Sequence, residues 1–377
     1  MTPTLTTRRL IPRQLTTVSA VSGALDHPRG RRSAPESATH RPTIRDVAAH
    51  AGVSKSLVSR VLHDSPLVSE PRRAAVLRAI EELGYRPNAA ARTLVRRRSN
   101  AVAVLVSDLH NLFLPEVVAG LDPVLSRGGY TTVIVTGKHS EQAELEGLHR
   151  VLELRVDGIV CAMARLGRDA LLDAARSTAL VNLTRAPELP RVDSVVNDDY
   201  LGATLAVEHL VGLGHRQIAM IGDTEERAGA DRMRGYRDAM IRLGLADEIV
   251  LAPGGFTEAG GYRAAAQLLS RRPRGLTAVF VASDLAALGV LDAAVDAGVD
   301  VPGELSVVGY DNTPFAALRH IALSTVDQTA TKIGALAAEA LLARIAQPSR
   351  RARRIVIPPT LVPRRTSAPP PTSSDHV

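Results

Sequence analysis

Three side chains able to read a base edge, Lys55, Ser56 and Arg60, fall on the polar side of a short helical pattern. Its other side is Leu57, Val58, Val61 and Leu62. Arginine donates two parallel bonds to guanine O6 and N7, and lysine and serine donate to base edges less selectively, so this set suits the DNA major groove. A solvated helix face carries the same residue types. A second set lies downstream. Phe113 sits just after the first strand-like run, Arg232 precedes a helical segment, and Phe256 lies in a glycine-flanked loop. Asp284 and Asp311 each follow a strand-like run, the end at which α/β sheets bind ligands. Carboxylates and guanidinium groups hold hydroxyls in pairs, while aromatic faces cover the apolar side of a ring. Taken singly, an Asp after a strand is also a helix cap, and Phe256 also suits a core.

Charge separates the two sets. The chain has 377 residues and a formal net charge of +7. Residues 1–100 carry 18 Lys and Arg against 7 Asp and Glu, whereas the rest carries 28 against 32. A basic head on a near-neutral body is the footprint of a nucleic-acid-binding module joined to something else. The single cysteine, Cys161, excludes an internal disulfide and a multi-thiolate metal site, and reads as a small core residue. No metal or cofactor is expected. No apolar run approaches the ~20 residues of a membrane helix, and residues 1–41 lack the apolar centre of a secretory signal. A cytoplasmic protein without membrane contact is therefore expected. HExxH, GxSxG and GxxxxGKS/T runs are absent, which argues against an enzyme.

Periodicity then supplies the elements that position these residues. Residues 1–41 and 367–377 have no sustained period and are expected to be disordered. Residues 42–86 read as three short helices. Thr43 and Asp46 make a capping-box-like start, and Ile44, Val47, Ala48 and Ala51 share one face. Gly52 permits the turn, and Ser54 is placed to cap the second helix. The third starts near Ser69, turns Val76, Ala79, Ile80 and Leu83 inward, and stops at Gly84. Two short helices about a glycine turn form a helix-turn-helix, whose second helix enters the major groove. Residues 87–98 fall at the ~12–15-residue limit below which isolated helices are not stable. They read either as a flexible linker or as a partner-ordered helix carrying Leu94 as a minor-groove wedge. Over 99–366, aliphatic runs at 101–106, 130–135, 158–160, 179–183, 217–221, 249–251, 278–281 and 305–309 alternate with helical segments such as 202–213, 234–243 and 286–297. That alternation means βαβ units, and the length calls for two doubly wound parallel-sheet subdomains.

In order along the chain stand Thr43-Ile44-Arg45-Asp46-Val47-Ala48, Gly52-Val53-Ser54, Val58-Ser59-Arg60-Val61-Leu62, Gly84-Tyr85-Arg86-Pro87-Asn88, Ala91-Arg92-Thr93-Leu94, Gly214-His215 and Val308-Gly309-Tyr310-Asp311-Asn312. This set, spanning about residues 42–366, resembles the LacI family of bacterial transcription regulators. The resemblance implies a DNA-binding head, a hinge helix over 87–98, and a two-subdomain sensor similar to periplasmic sugar-binding proteins. It implies base reading by Lys55, Ser56 and Arg60, and phosphate or positioning contacts from Ser54, Ser59 and Asn88. Leu94 matches the family's hinge leucine, inserted at a central base step. Phe113, Arg232, Phe256, Asp284 and Asp311 match positions lining the effector cleft. One departure stands out: where many sugar-sensing members have Asp after the fourth strand, this chain has Thr184-Arg185.

The implied protein is a ligand-responsive repressor. It binds a pseudo-palindromic double-stranded DNA operator as a homodimer and takes a carbohydrate or nucleobase-like effector, sugar foremost, while working in the cytoplasm at the nucleoid. The other reading is a sugar-binding transport component without a DNA role, against which the basic head counts. The basic run 349–354 is expected to be a solvated loop. Arg232 and Asp311 are expected to face a solvated cleft, where loss of either leaves no buried group unpaired.

Overall fold

A computed structural model describes residues 42–62, 65–86, 98–137, 140–162, 165–183, 189–223, 227–271 and 275–371. The chain divides into two units between Pro87 and Asn88. The hinge segment 87–97 with Asn88 and Leu94, the Thr184-Arg185 departure, and residues 1–41 and 372–377 lie outside the described residues.

The first unit is built from α1 (Ile44–His50), α2 (Lys55–Leu62) and α3 (Glu70–Glu82). Asp46 accepts from the Thr43 amide at 2.7 Å and from its hydroxyl at 2.8 Å, which fixes the entry to α1. Gly52 turns the chain at φ 63°, and the Ser54 hydroxyl accepts from the Leu57 amide to start α2. Val47, Val58, Val61, Val76, Ala79 and Tyr85 form the small core. Its burial holds three helices that are each too short to persist alone.

The sensor starts with β1 (Ala101–Val106), α4 (Phe113–Arg127), β2 (Thr131–Thr136), α5 (Glu141–Glu153), β3 (Gly158–Ala162), α6 (Arg168–Ser177), β4 (Ala179–Asn182) and β5 (Val192–Asn197). The chain then enters a second sheet. Its elements are α7 (Asp199–Gly212), β6 (Gln217–Gly222), α8 (Arg227–Arg242), β7 (Ile249–Pro253), α9 (Glu258–Arg271), β8 (Leu276–Val281), α10 (Asp284–Asp296), β9 (Ser306–Asp311) and β10 (Ser324–Asp327). It returns through α11 (Ala330–Ala346) and β11 (Arg354–Ile357), and crosses once more into β12 (Thr360–Val362). The strand orders are β11-β5-β4-β3-β1-β2 and β12-β10-β9-β8-β6-β7. Three crossings thus leave from the carboxyl ends of β5, β10 and β11 and join the sheets.

The pleat sends alternate β1 residues to opposite helical layers. Val102, Val104 and Val106 pack with Val117 and Leu121 of α4 and with Ala337 and Leu341 of α11, whereas Ala103 and Leu105 pack with Leu148 and Val151 of α5. With few aromatics, close helix contact replaces bulk. A Cβ on Gly120 would stand 1.9 Å from the Thr331 carbonyl oxygen, so α4 and α11 touch through backbone. Cys161 is fully buried in β3, and burial pushes its thiol up to about 12, which makes it inert.

The structure departs from the sequence expectations in several places. β5 and β10–β12 are strands that the aliphatic runs do not mark, because Asp193 and Ser194 interrupt the run of β5 and the other three are short and half polar. The sheets are parallel throughout except for β12, which runs antiparallel to β10. The expected tail at 367 also starts too early. His209 shares a 2.9 Å bond with Ser367, His215 bonds the Ala368 carbonyl at 2.8 Å, and Ser306 exchanges bonds with Ala368, so this stretch packs on the second sheet.

The 349–354 run is likewise organised rather than simply solvated. Asp193 receives a two-pronged Arg344 guanidinium at 3.0 and 3.1 Å, and both side chains are 2% exposed. The same carboxylate takes the Arg353 amide at 2.7 Å and Arg350 at 3.4 Å. This pins the start of β11 against β5.

Candidate DNA interface and ligand cleft

On α2 the inward Val58 and Val61 leave Lys55, Ser56 and Arg60 exposed on the opposite side, with Ser59 half-buried beside them. Ser54 is exposed, and its hydroxyl is already engaged as the helix cap. The three candidate readers therefore share one solvent-facing surface of the second helix, as groove entry requires.

In the sensor, Arg232 of α8 organises the region where the sheets are joined. It is 2% exposed. Its Nε donates to Asp199 Oδ1 at 2.9 Å, and its Nη1 donates to the Ala282 carbonyl. Its guanidinium lies 3.6 Å from the centre of the Tyr310 ring and 5.7 Å from that of Phe256. Asp311 Oδ1 stands 3.9 Å away and also accepts from Gln328 at 2.5 Å. Burial opposes the Arg232 charge, but Asp199, Tyr310 and Asp311 outweigh it, so its pKa rises above the ordinary arginine value. Tyr310 is fully buried, and its hydroxyl accepts from Asn197 Nδ2 at 2.8 Å. Gly202 makes room for it, since a Cβ there would come 2.2 Å from the Tyr310 hydroxyl oxygen.

Next to this network is a cavity of about 360 Å³. Phe113 and Glu116 of α4 line it from the first sheet, Asp311 and Asn312 from the second, and Asp327, Thr329 and Lys332 from the crossing into α11. Burial raises the Asp311 carboxyl well above the usual range, with Asp284 adding to the rise and Arg232 opposing it. Asp311 and Thr329 hold positive φ of 119° and 55°, uncommon for residues with side chains. Thr329 Oγ1 and Asn197 Oδ1 are buried without a hydrogen-bond partner among the described residues.

Residues 43–88 match the model of the bacterial regulatory proteins, lacI family, and residues 207–367 match the periplasmic binding protein-like domain. The chain is 34% identical over 328 residues to the ribose operon repressor of Escherichia coli K12, covering 85% of this chain and 98% of that one. To the HTH-type transcriptional regulator CelR of Thermobifida fusca it is 36% identical over 339 residues, covering 86% and 98%. A Lac repressor dimer bound to operator and the anti-inducer ONPF matches with a TM-score of 0.76 at 27% identity, covering 87% of this chain and 99% of that chain. The chain belongs to the LacI family. It is a DNA-binding transcription regulator and not an enzyme, which sets aside the transport-component reading.

Within this LacI-family sensor the five expected cleft residues divide. Phe113 and Asp311 line the cavity, and Arg232 and Phe256 meet Asp311 through the buried network. Asp284 does not line it. At the first turn of α10 its carboxylate accepts from the Thr313 amide at 2.7 Å, the Thr313 hydroxyl at 3.0 Å and the Thr325 hydroxyl at 2.6 Å. It ties the β9 loop to β10. The expected solvation of Arg232 and Asp311 is corrected too: Arg232 is sealed and its removal strips Asp199 of a partner, while removal of Asp311 leaves the buried Gln328 amide without its acceptor. Sequence reasoning missed Asn197, Asp199, Gln328 and Thr329. The polar triplet Asn197-Asp198-Asp199 is a usable signal only once β5 is recognised as the strand that ends in it. Among the described residues, no group of His, Cys, Asp and Glu could hold a metal, and no helix is long and apolar enough to cross a membrane.

Proposed function

We propose that this LacI-family regulator represses transcription as a homodimer on a pseudo-palindromic operator, and that a neutral sugar-like effector in the 360 Å³ cavity sets its affinity for DNA. Lys55, Ser56 and Arg60 read bases, while Ser54, Ser59 and Asn88 hold phosphates. Leu94 of each protomer wedges a central base step. It works in the cytoplasm, at the nucleoid. The observation that carries the DNA half is the exposed Lys55, Ser56 and Arg60 surface on α2, and the relative crystallised as an operator-bound dimer supports it.

The effector half rests on a surplus of polar groups. Glu116 and Asp327 face one cation, Lys332, while Asp311 offers a carboxyl that burial keeps protonated at neutral pH, and Thr329 adds a hydroxyl without a partner among the described residues. A ligand there both donates and accepts hydrogen bonds, as a polyol does. Phe113 offers an aromatic face to the ring. The ribose operon repressor and a CelR–cellobiose complex among the relatives support a sugar. An effector shifts DNA affinity only through its different affinity for the sensor's two states.

Selection of binding sites from random DNA tests the first half. Arg60→Ala should lose about 1–3 kcal/mol of specific binding and relax one base preference per half-site. An unchanged preference would remove Arg60 from the reading set. Thermal-shift screening against sugars, nucleosides and sugar phosphates tests the second, because a ligand bound only by the folded state raises the melting temperature. Stabilisation by neutral sugars is expected, and stabilisation of an Asp311→Asn protein by the same sugar to the same extent would exclude Asp311 as a contact.

A further inference from the structure

A larger cavity, about 550 Å³, lies at the other end of the first sheet's strands, where β3 and β4 begin. Arg98, Arg155, Arg176, Arg191 and Arg344 line it, and its one lining carboxylate is Asp157. Arg344 is matched by Asp193, and Arg176 by the exposed Asp173 at 3.6 Å. Arg98, Arg155 and Arg191 have no carboxylate partner among the described residues. Asp157 is already occupied, since its two oxygens accept from the Ser99 and Asn100 amides at 3.0 and 2.9 Å.

Three helices, α5, α6 and α11, end beside this cavity, and arginines at helix carboxyl ends complement the dipole without any ligand. The magnitudes show that this accounts for most of the positive charge but not all of it. Each helix end carries roughly half a negative charge, so the three ends with Asp157 amount to about two and a half. Three guanidinium groups, those of Arg98, Arg155 and Arg191, remain once Arg344 is set against Asp193 and Arg176 against Asp173. An excess of about half a positive charge is left. Arg155 and Arg191 also sit at φ 52° and 71°, a left-handed backbone that glycine adopts freely and arginine does not. The fold keeps long cationic side chains at two positions where their absence would relieve the backbone.

We propose that this cavity binds a phosphate ester of about nucleotide size. Arg98, Arg155 and Arg191 fork the phosphate oxygens, as guanidinium groups do bidentately. The apolar wall of Leu152, Val156 and Ile345 takes the remainder of the molecule. The volume suits such a ligand, since small-molecule sites run from ~300 to ~1,000 Å³. Arg98 directly precedes the two amides held by Asp157, so occupancy acts on the segment through which the sensor joins residues 87–97. This site is independent of the sugar cavity.

Calorimetric titration of the full-length protein with inorganic phosphate, pyrophosphate and adenosine monophosphate, at low and moderate salt, tests it. Saturable binding of one adenosine monophosphate per chain is expected, tighter than inorganic phosphate and weakened by salt. Arg155→Gly and Arg191→Gly should each weaken it about tenfold or more, with a melting temperature equal to or above the parent's. Failure of all three anions to bind, or equal binding by the glycine variants, would overturn the site. If the variants instead lose operator affinity with a shallower salt dependence while none of the three anions binds, the arginines serve DNA phosphates and the small-ligand site is refuted.

Discussion

The two cavities of the sensor carry opposite charge, and each is built around one buried arginine. Arg344, beside the basic cavity, is matched by a single carboxylate, Asp193, in a two-pronged pair with both side chains 2% exposed. Arg232, beside the acidic one, faces Asp199 at 2.9 Å and Asp311 at 3.9 Å, with Asp284 behind them. The first arrangement is closed: donors and acceptors are used up, and the pair locks β11 onto β5. The second is open: carboxylates outnumber the cation, one of them retains its proton readily, and Asn197 Oδ1 and Thr329 Oγ1 have no partner among the described residues. A buried charge pair that balances serves the fold. One that does not balance leaves capacity for a ligand.

Removing one partner from each pair should separate these roles. Asp193→Ala leaves Arg344 buried with carbonyl acceptors only, and should cost about 3–5 kcal/mol in urea unfolding. Sugar binding by the protein that remains folded should be unchanged. Arg232→Met should cost less, about 2–3 kcal/mol, because Asp311, raised to about 8 by burial, is already neutral at pH 7 and Asp199 keeps a 3.4 Å contact with Asn197. It should abolish the effector response. A larger loss for Arg232→Met than for Asp193→Ala would mean that the acidic network is the structural one, and the contrast would be reversed.

The contrast also explains what could be read in advance from the residues. The helix-turn-helix was legible because its signals are local: Thr43 with Asp46, the glycine turn, and apolar faces that leave Lys55, Ser56 and Arg60 outside. Two parallel sheets were legible from aliphatic runs, whereas β5 and β10 were hidden by the buried polar residues they carry, Asp193, Ser324 and Thr325 among them. The cleft was only half legible. Asp311 and Asp284 look alike in sequence, each an Asp after a strand, and only packing separates the carboxyl that faces a cavity from the one bound by Thr313 and Thr325. Asp199 and Thr329 lie at crossings between the sheets, and the crossings follow from a topology that local periodicity does not encode.

The smallest expected effect is in the pH dependence of stability, and it probes the open network directly. The folded chain raises Asp311 to about 8 from an ordinary 3.8, mainly through burial. Between those values the native state holds the proton and the unfolded state does not, so this group makes stability fall as pH rises through the window. His209 and His215 act at the acid side. Burial lowers both below 6.5, so the unfolded state takes up protons first, and their contribution is lost as pH falls below that value. The stability profile should therefore have a maximum with two separable arms. Asp311→Asn keeps an oxygen to accept from Gln328 and tolerates the positive φ, so at acid pH it should lie within about 1 kcal/mol of the parent. From there to about pH 8 it should gain on the parent steadily, because it has no charge to bury. His209→Gln should flatten the acid arm and leave the alkaline one alone. Urea midpoints of the three proteins across roughly pH 5 to 9 measure both arms. A difference between Asp311→Asn and parent that does not change with pH would mean the carboxylate is ionised throughout, its charge already balanced by Arg232, and the acidic cavity would then be as closed as the basic one's buried pair.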